Sequence, residues 1–149
     1  MFRNVLVAID GSPDSDRALS HAIDIAECAN ARLTIFSAVP TPPAFTYATP
    51  GAAALADIGE KAREETETIV RTARDRVPDS ISVTTVVKDA PVRPALIEQI
   101  DAGGHDLVAM GSRGRGAVGS VLLGSVSHHV LHNTRVPVLI VHADEPSAG

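Results

Sequence analysis

Hydrophobic residues occur along this chain in two alternating patterns. Short continuous runs of mostly β-branched or aliphatic residues predict strands that are buried on both faces of a sheet. Between them, hydrophobic residues recur at steps of three and four, which predicts amphipathic helices. The predicted strands lie at residues 5–9, 33–39, 81–87, 107–110 and 136–141, and the predicted helices near residues 13–29, 55–77, 91–102 and 118–133.

Strands that alternate with helices in this way predict a parallel sheet. Right-handed crossover connections then place helices on both faces of that sheet. The sequence therefore predicts an α/β fold, a single doubly wound domain built on a five-stranded parallel sheet. A chain of 149 residues accommodates one such domain. We assign the domain to residues 1–143 and expect residues 144–149 to form a disordered tail.

The first helix carries clear start signals. Ser12 is suited to the N-cap, Pro13 to the first helical position, and Asp14 and Asp16 to the first turn. Cys28 follows later in the same helix among alanines, where we expect it to be an inert packing residue.

Composition excludes several classes of protein. With Cys28 as the only cysteine, an intrachain disulfide and a multi-cysteine metal site are both excluded. The formal net charge of −5 disfavours a nucleic acid or an anionic membrane as partner. There is no apolar run of the roughly 20 residues that span a bilayer, and the N-terminus does not resemble a signal peptide. We therefore expect a cytoplasmic protein with no membrane partner.

Ligands of doubly wound folds bind outside the carboxyl ends of the strands, where the strand order reverses. Two loops at that edge are rich in candidate binding groups. One is Asp10-Gly11-Ser12 after the first strand, and the other is the glycine-rich segment after the fourth strand. A third irregular stretch, residues 40–51, is expected to form a mobile loop or lid beside the same edge.

The glycine-rich segment also has an unusual charge pattern. From Leu107 through Ala143 there is no Asp or Glu, although the whole chain holds 18 of them. Within this window lie Gly111, Gly114, Gly124 and Ser125. Glycines let backbone N–H groups approach phosphate oxygens, and the start of the next helix adds further N–H donors. The pattern favours a phosphate cradle.

Other interpretations of this segment were considered. A P-loop is excluded because the chain has no Gly-Lys-Ser/Thr tripeptide. Gly114-Arg-Gly116-Ala-Val-Gly119 matches the dinucleotide fingerprint, but it follows the fourth strand rather than the first. A flexible loop without a ligand is a further alternative. Similarly, the Asp10 turn can cap the first helix with no ligand present.

The sequence resembles the universal stress protein family over nearly the whole chain, and three segments carry the resemblance. The opening Val-Leu-Val-Ala-Ile-Asp-Gly-Ser of residues 5–12 is similar to the family's first strand and loop. The spacing Gly111-x2-Gly114-x9-Gly124-Ser125 resembles the signature of the ATP-binding branch. The closing residues 135–141 are similar to the family's last strand.

This resemblance implies an adenine-nucleotide alpha-hydrolase-like fold with strand order 3-2-1-4-5 and ATP or another adenine nucleotide at the carboxyl edge. Asp10 would lie near the ribose or a phosphate-bound Mg²⁺, and Val39 would offer backbone atoms to adenine. The phosphates would be held by Gly111, Gly114, Gly124 and Ser125, with Met110, Arg113 and Val126 lining the site. The chain departs from the family at Asp89, where members often have glycine, which places the adenine contacts in question.

The sequence favours binding over catalysis. It has no recognisable catalytic pattern, so we predict no catalytic residue. His128 and His132 have a spacing that can bind zinc, but an exposed helix face explains them more simply. The family resemblance and the apolar edge strand 136–141 predict an antiparallel homodimer through that strand. The expected protein is an ATP-binding stress-response dimer. The alternatives are a slow Mg²⁺-dependent ATPase that uses Asp10, and a dimeric adaptor without nucleotide.

Overall fold

The computed structural model describes residues 1–40, 52–113 and 124–143. Gly114, the lid predicted after Pro40, the predicted first turns of the fourth helix and the predicted tail lie outside these residues. In chain order the elements are β1 (Asn4–Ala8), α1 (Pro13–Ala29), β2 (Arg32–Ala38), α2 (Ala52–Asp75), β3 (Val83–Lys88), α3 (Val92–Ala102), β4 (Leu107–Gly111), α4 (Ser125–Asn133) and β5 (Val138–Val141). Of the helices in the described part of the chain, none combines the length and apolar character needed to cross a membrane.

The five strands form one sheet in the order β3-β2-β1-β4-β5, and every neighbouring pair is parallel. This is the order that the family resemblance implies, so the predicted topology is confirmed. The strand order reverses beside β1, whose Ala8 pairs with Met110 of β4. Consequently the loops that follow β1 and β4 leave the sheet side by side at its carboxyl edge.

Both faces of the sheet are covered, which explains why the strand sequences are continuously hydrophobic. Val5 and Val7 of β1 belong to the hydrophobic cluster that includes residues of α1 and α2. Leu6, between them, belongs to a second cluster, which includes Leu96 of α3 and Val130 of α4. Successive strand residues point to opposite faces, so an apolar residue is needed at each position. The prediction of helices on both faces is confirmed.

The start of α1 agrees with its sequence signals. Ser12 has an extended N-cap conformation, and its hydroxyl accepts a hydrogen bond from the Ser15 N–H at 3.3 Å. Pro13 occupies the first helical position. The helix ends at Asn30, which adopts the left-handed conformation (φ 53°) and donates its N–H to the carbonyls of Ala26 and Glu27.

Two expectations about burial were wrong. The third strand, predicted as a buried run at 81–87, lies at Val83–Lys88 and is half-exposed, because it forms an edge of the sheet. Cys28 was expected to be buried, but it is exposed, because the buried side of α1 is formed by other positions, including Ala22 and Ala26. The last strand is shorter than predicted, at Val138–Val141.

A buried histidine joins the amino end of the sheet to the end of α3. The Nδ1 atom of His105 lies 3.1 Å from the Asn4 Oδ1, and its Nε2 lies 3.2 Å from the Gln99 Nε2. The Asn4 amide group donates to the carbonyls of Gly103 and Gly104, which leaves its oxygen as the acceptor for His105. A neutral ring with its proton on Nδ1 therefore satisfies every partner. Burial lowers the pKa of His105, although Asp106 opposes this shift.

We expect this histidine to make the fold sensitive to mild acid. In the unfolded chain His105 takes up a proton as the pH falls below about 6.5, whereas in the folded protein its pKa is lower. The unfolded state therefore binds more protons, and the free energy of unfolding falls as the pH is lowered from about 7 to about 5. Denaturant unfolding at several pH values measures this slope. His105→Gln should reduce it, and His21→Gln, at an exposed position on α1, should leave it unchanged. Equal slopes in all three proteins would contradict the assignment.

Candidate functional site

A cleft of about 700 Å³ lies at the carboxyl edge of the sheet. Its walls come from the ends of β1, β2 and β4 and from the starts of α3 and α4. The predicted site residues that the structure describes all line this cleft, and they are Asp10, Val39, Met110, Gly111, Arg113, Gly124, Ser125 and Val126. The tertiary structure thus brings together residues that are far apart in the sequence.

The two sides of the cleft differ in chemistry. On the β2 and α3 side, most lining residues are apolar, including Val39, Pro91 and Val92, although Arg93 of α3 also lines the cleft. On the β4 and α4 side, the lining is formed by glycine, serine and Arg113 among others. A ligand with an apolar ring at one end and an anionic group at the other matches this division.

The Asp10 turn is held by its own hydrogen bonds and by β2. The Asp10 Oδ1 accepts a hydrogen bond from the Ser12 N–H at 2.9 Å, and the Ser15 hydroxyl accepts one from the Asp10 N–H at 3.2 Å. Gly11 has φ +83°, which favours glycine. The Ser37 hydroxyl donates to the carbonyl of Ile9 at 2.7 Å, which ties the turn to β2. The turn therefore leads into α1 and at the same time contributes Asp10 to the wall of the cleft.

The start of α4 is fixed against the end of β4. The N–H of Gly124 and the hydroxyl of Ser127 both donate to the carbonyl of Ser112, the second at 2.9 Å. Gly124 is the N-cap residue and has no side chain with which to cap the helix. The first-turn N–H groups of Ser125 and Val126 thus begin at the wall of the cleft, and such groups attract anions.

Gly111 has a structural requirement of its own. A Cβ atom at this position would lie 2.7 Å from the Asp14 Cβ and 2.9 Å from both the Asp14 carbonyl carbon and the Ser15 nitrogen. The end of β4 can approach the first turn of α1 this closely only because residue 111 has no side chain. The glycine that the sequence assigns to phosphate binding therefore also packs a helix against the sheet.

Asp14 is a residue of the site whose role the sequence analysis missed. Its carboxylate is buried and accepts hydrogen bonds from the Ser112 hydroxyl at 2.8 Å, the Arg113 N–H at 3.1 Å and the Ala143 N–H at 2.9 Å. Burial by itself would raise the pKa of Asp14, but these hydrogen bonds and the charge of Arg113 outweigh it and hold the pKa below its usual range. No local signal distinguishes Asp14 from an ordinary first-turn acid, because its partners lie about a hundred residues away.

Two other sequence candidates lie away from the cleft. Asp89, where the chain departs from the family pattern, is exposed and forms an ion pair with Arg63 of α2 at 3.1 Å. It is not among the described residues that line the cleft. His128 and His132 contact each other on α4 with tilted rings whose centroids lie 4.4 Å apart, and both are exposed, as expected. Across the described ranges, no three metal-ligating side chains cluster.

Comparisons with known proteins agree with this fold. The model of the universal stress protein family matches residues 1–142. A universal stress protein of Mycolicibacterium smegmatis is 31% identical over 150 residues, which cover 97% of this chain and 49% of that protein. One from Bacillus subtilis is 31% identical over 147 residues, which cover 95% of this chain and 99% of that protein. The chain thus spans about half the length of its mycobacterial relatives.

A solved structure extends the likeness to three dimensions. It is a universal stress protein in complex with cAMP, 30% identical, with a TM-score of 0.67. The match covers 96% of this chain and 98% of that one. Strand order, the match of the family model and relatives of this similarity lead to one conclusion: the chain belongs to the universal stress protein family.

Proposed function

We propose that this chain binds an adenine nucleotide in the cleft, with ATP as its ligand, and that nucleotide occupancy regulates its interactions. The observation that carries the proposal is the arrangement of the cleft, which joins an apolar side to Arg113 and the start of α4. An adenine ring fits the first side, and phosphates fit the second, where backbone N–H groups and a guanidinium meet. Further support comes from the relative that was solved with cAMP.

On the apolar side, Val39 is the residue that would meet the adenine. Its N–H already donates to the carbonyl of Lys88 at 2.8 Å, so we assign the adenine contact to the Val39 carbonyl, which accepts from the exocyclic amino group. Pro91 and Val92 supply apolar surface around the ring, and Met110 of β4 adds to it from the neighbouring strand.

On the polar side, the phosphates would contact the N–H groups that begin α4, the Ser125 hydroxyl and the Arg113 guanidinium. Gly114, which the family resemblance adds to this set, lies outside the described residues. Asp10 lines the same cleft, and its carboxylate oxygen is the type of ligand that Mg²⁺ prefers. When bound, Mg²⁺ would neutralise phosphate charge, and Asp10 would reach it indirectly, as part of Mg·ATP.

The proposal includes a cytoplasmic homodimer. β5 is an edge strand of the sheet, and its residues Val138–Val141 are all apolar. An apolar edge of this kind pairs readily with a second chain. A monomeric mass by sedimentation at micromolar concentration would contradict the dimer and leave the nucleotide site untouched.

Calorimetry of nucleotide-stripped protein with Mg·ATP tests the site. We expect saturable binding with one ATP per chain in the wild type. Gly124→Val should abolish it, because its side chain stands where the phosphates approach the start of α4. Gly59→Val is the matched control, since a Cβ at Gly59 meets nothing within 4 Å. It should bind ATP as the wild type does.

Two results would count against the proposal in different ways. Wild-type affinity in a folded Gly124→Val variant would show that the phosphates lie elsewhere. An absence of heat with millimolar ATP and folded wild-type protein would overturn nucleotide binding itself.

A further inference from the structure

The Asp14 carboxylate accepts hydrogen bonds from donors that follow two different strands, β4 and β5. The Oδ2 atom accepts from the Ser112 hydroxyl and the Arg113 N–H, which follow β4. The Oδ1 atom accepts from the Ala143 N–H, which follows β5. An ionised carboxylate suits this set of donors best, because both of its oxygens accept and it carries no proton that would itself need an acceptor. The depressed pKa of Asp14 agrees with this state.

The same carboxylate also contacts the side chain of Arg113. The Arg113 Nε lies 3.8 Å from the Asp14 Oδ2, and the two side chains are 28% and 7% exposed. Arg113 is therefore restrained twice by one group, through its backbone N–H and through its guanidinium. It also lines the cleft. A restrained guanidinium loses less conformational freedom when it binds a ligand, which raises affinity.

We propose that Asp14 is a positioning residue that holds Arg113 and the end of β4 in the orientation in which Arg113 meets the phosphates of the ligand. This inference rests on the proposed function, since it assumes a phosphate in the cleft. Asp14 is not among the described residues that line the cleft. It acts through Arg113.

If Asp14 affected ATP only through charge repulsion, removing its charge would change the ATP affinity in the opposite direction. An experiment can therefore distinguish the two explanations. A carboxylate near a phosphate repels it, and removing the charge alone would tighten the binding of ATP. Asp14→Asn removes the charge, but it also puts an amide donor where the structure needs acceptors. If Asp14 positions Arg113, this variant must therefore bind ATP more weakly despite the lost repulsion.

The test compares ATP with adenosine in four proteins. These are the wild type, Asp14→Asn, Arg113→Gln and the double variant. Asp14→Asn should weaken ATP binding by about tenfold, the usual effect of losing one charge-assisted contact, and leave adenosine binding unchanged. Because Asp14 acts through Arg113, Asp14→Asn should add little in the Arg113→Gln background. Asp24→Asn, at an exposed position of the same helix, is the matched control.

Arg113→Lys keeps the inference falsifiable if the Asp14 variants do not fold. Lysine retains the charge but lacks the planar guanidinium whose Nε forms the ion pair with Asp14, so it should lose ATP affinity as Arg113→Gln does. Wild-type ATP affinity in Arg113→Lys or in Asp14→Asn, or full additivity in the double variant, would overturn the inference. Failure of the wild type to bind ATP would overturn the proposed function instead, and this inference with it.

Discussion

Gly111→Ala is expected to lower the free energy of unfolding by about 3 kcal/mol, the upper part of the usual range for overpacking. The new methyl group would lie 2.7 Å from the Asp14 Cβ and 2.9 Å from two backbone atoms of α1. Backbone atoms cannot move aside as the end of a flexible side chain can, so the first turn of α1 must shift. That shift would pull the Asp14 carboxylate away from Ser112, Arg113 and Ala143. Chemical denaturation measures the loss.

Gly59→Ala makes the same glycine-to-alanine change at a position where we expect it to stabilise the fold. Gly59 lies within α2, and a Cβ there meets nothing within 4 Å. Alanine should raise the free energy of unfolding by up to about 1 kcal/mol, because it favours the helical conformation. If Gly111→Ala were as stable as the wild type, the close approach of β4 to α1 would be wrong.

Leu96→Ala is expected to lower the free energy of unfolding by about 2–5 kcal/mol, the range measured for buried leucines. Leu96 is 0% exposed and lies in the cluster between the sheet, α3 and α4. Its truncation removes apolar burial and leaves a cavity that neighbouring residues fill only in part. Because Leu96 also lines the cleft, α3 loses one of the residues that hold it beside the site. Thermal or denaturant unfolding measures the effect.

Leu131→Ala is the matched control for this prediction. Leu131 lies in α4 and is 42% exposed, so the same substitution removes far less buried surface. We expect it to change the free energy of unfolding by about 1 kcal/mol or less. Similar losses in the two variants would contradict the assignment of Leu96 to the core.

The residues at the cleft fall into two groups, which differ in what they contact. Arg113 and the start of α4 face the cleft, and the proposal gives them contact with the ligand. Asp14 and Gly111 form the second group: they fix the distance between α1 and β4, and Gly111 also lines the cleft. A variant in the second group is therefore expected to change stability as well as binding. The ATP affinity of each such variant should therefore be measured together with its free energy of unfolding.

The elements of the fold could be predicted from the sequence because their signals are local. Ser12 and Pro13 mark the start of α1, and both occupy the positions predicted for them. Continuous hydrophobic runs indicate strands that are covered on both faces, and β1 and β4 are such strands. The run at 81–87 was misjudged because residue type alone does not tell an edge strand from a central one.

The location of the cleft was also predictable, and for a general reason. Parallel strands end at one edge of a sheet, so loops that follow two neighbouring strands must lie close together. The Asp10 turn and the Gly111 segment follow β1 and β4, which are neighbours. Their shared cleft agrees with the prediction made from strand order and the family resemblance.

By itself, the sequence determined the class of fold, the order of the elements and the edge of the sheet at which the cleft lies. Each depends on periodicity, on capping residues or on motifs that are contiguous in the chain. Only the tertiary structure decided that Asp14 joins the ends of β4 and β5, and that Gly111 must lack a side chain. Asp14 lies 98 residues from Ser112 and 129 from Ala143 in the sequence. Contacts of that kind exist only once packing has brought the three segments together, so no local pattern records them.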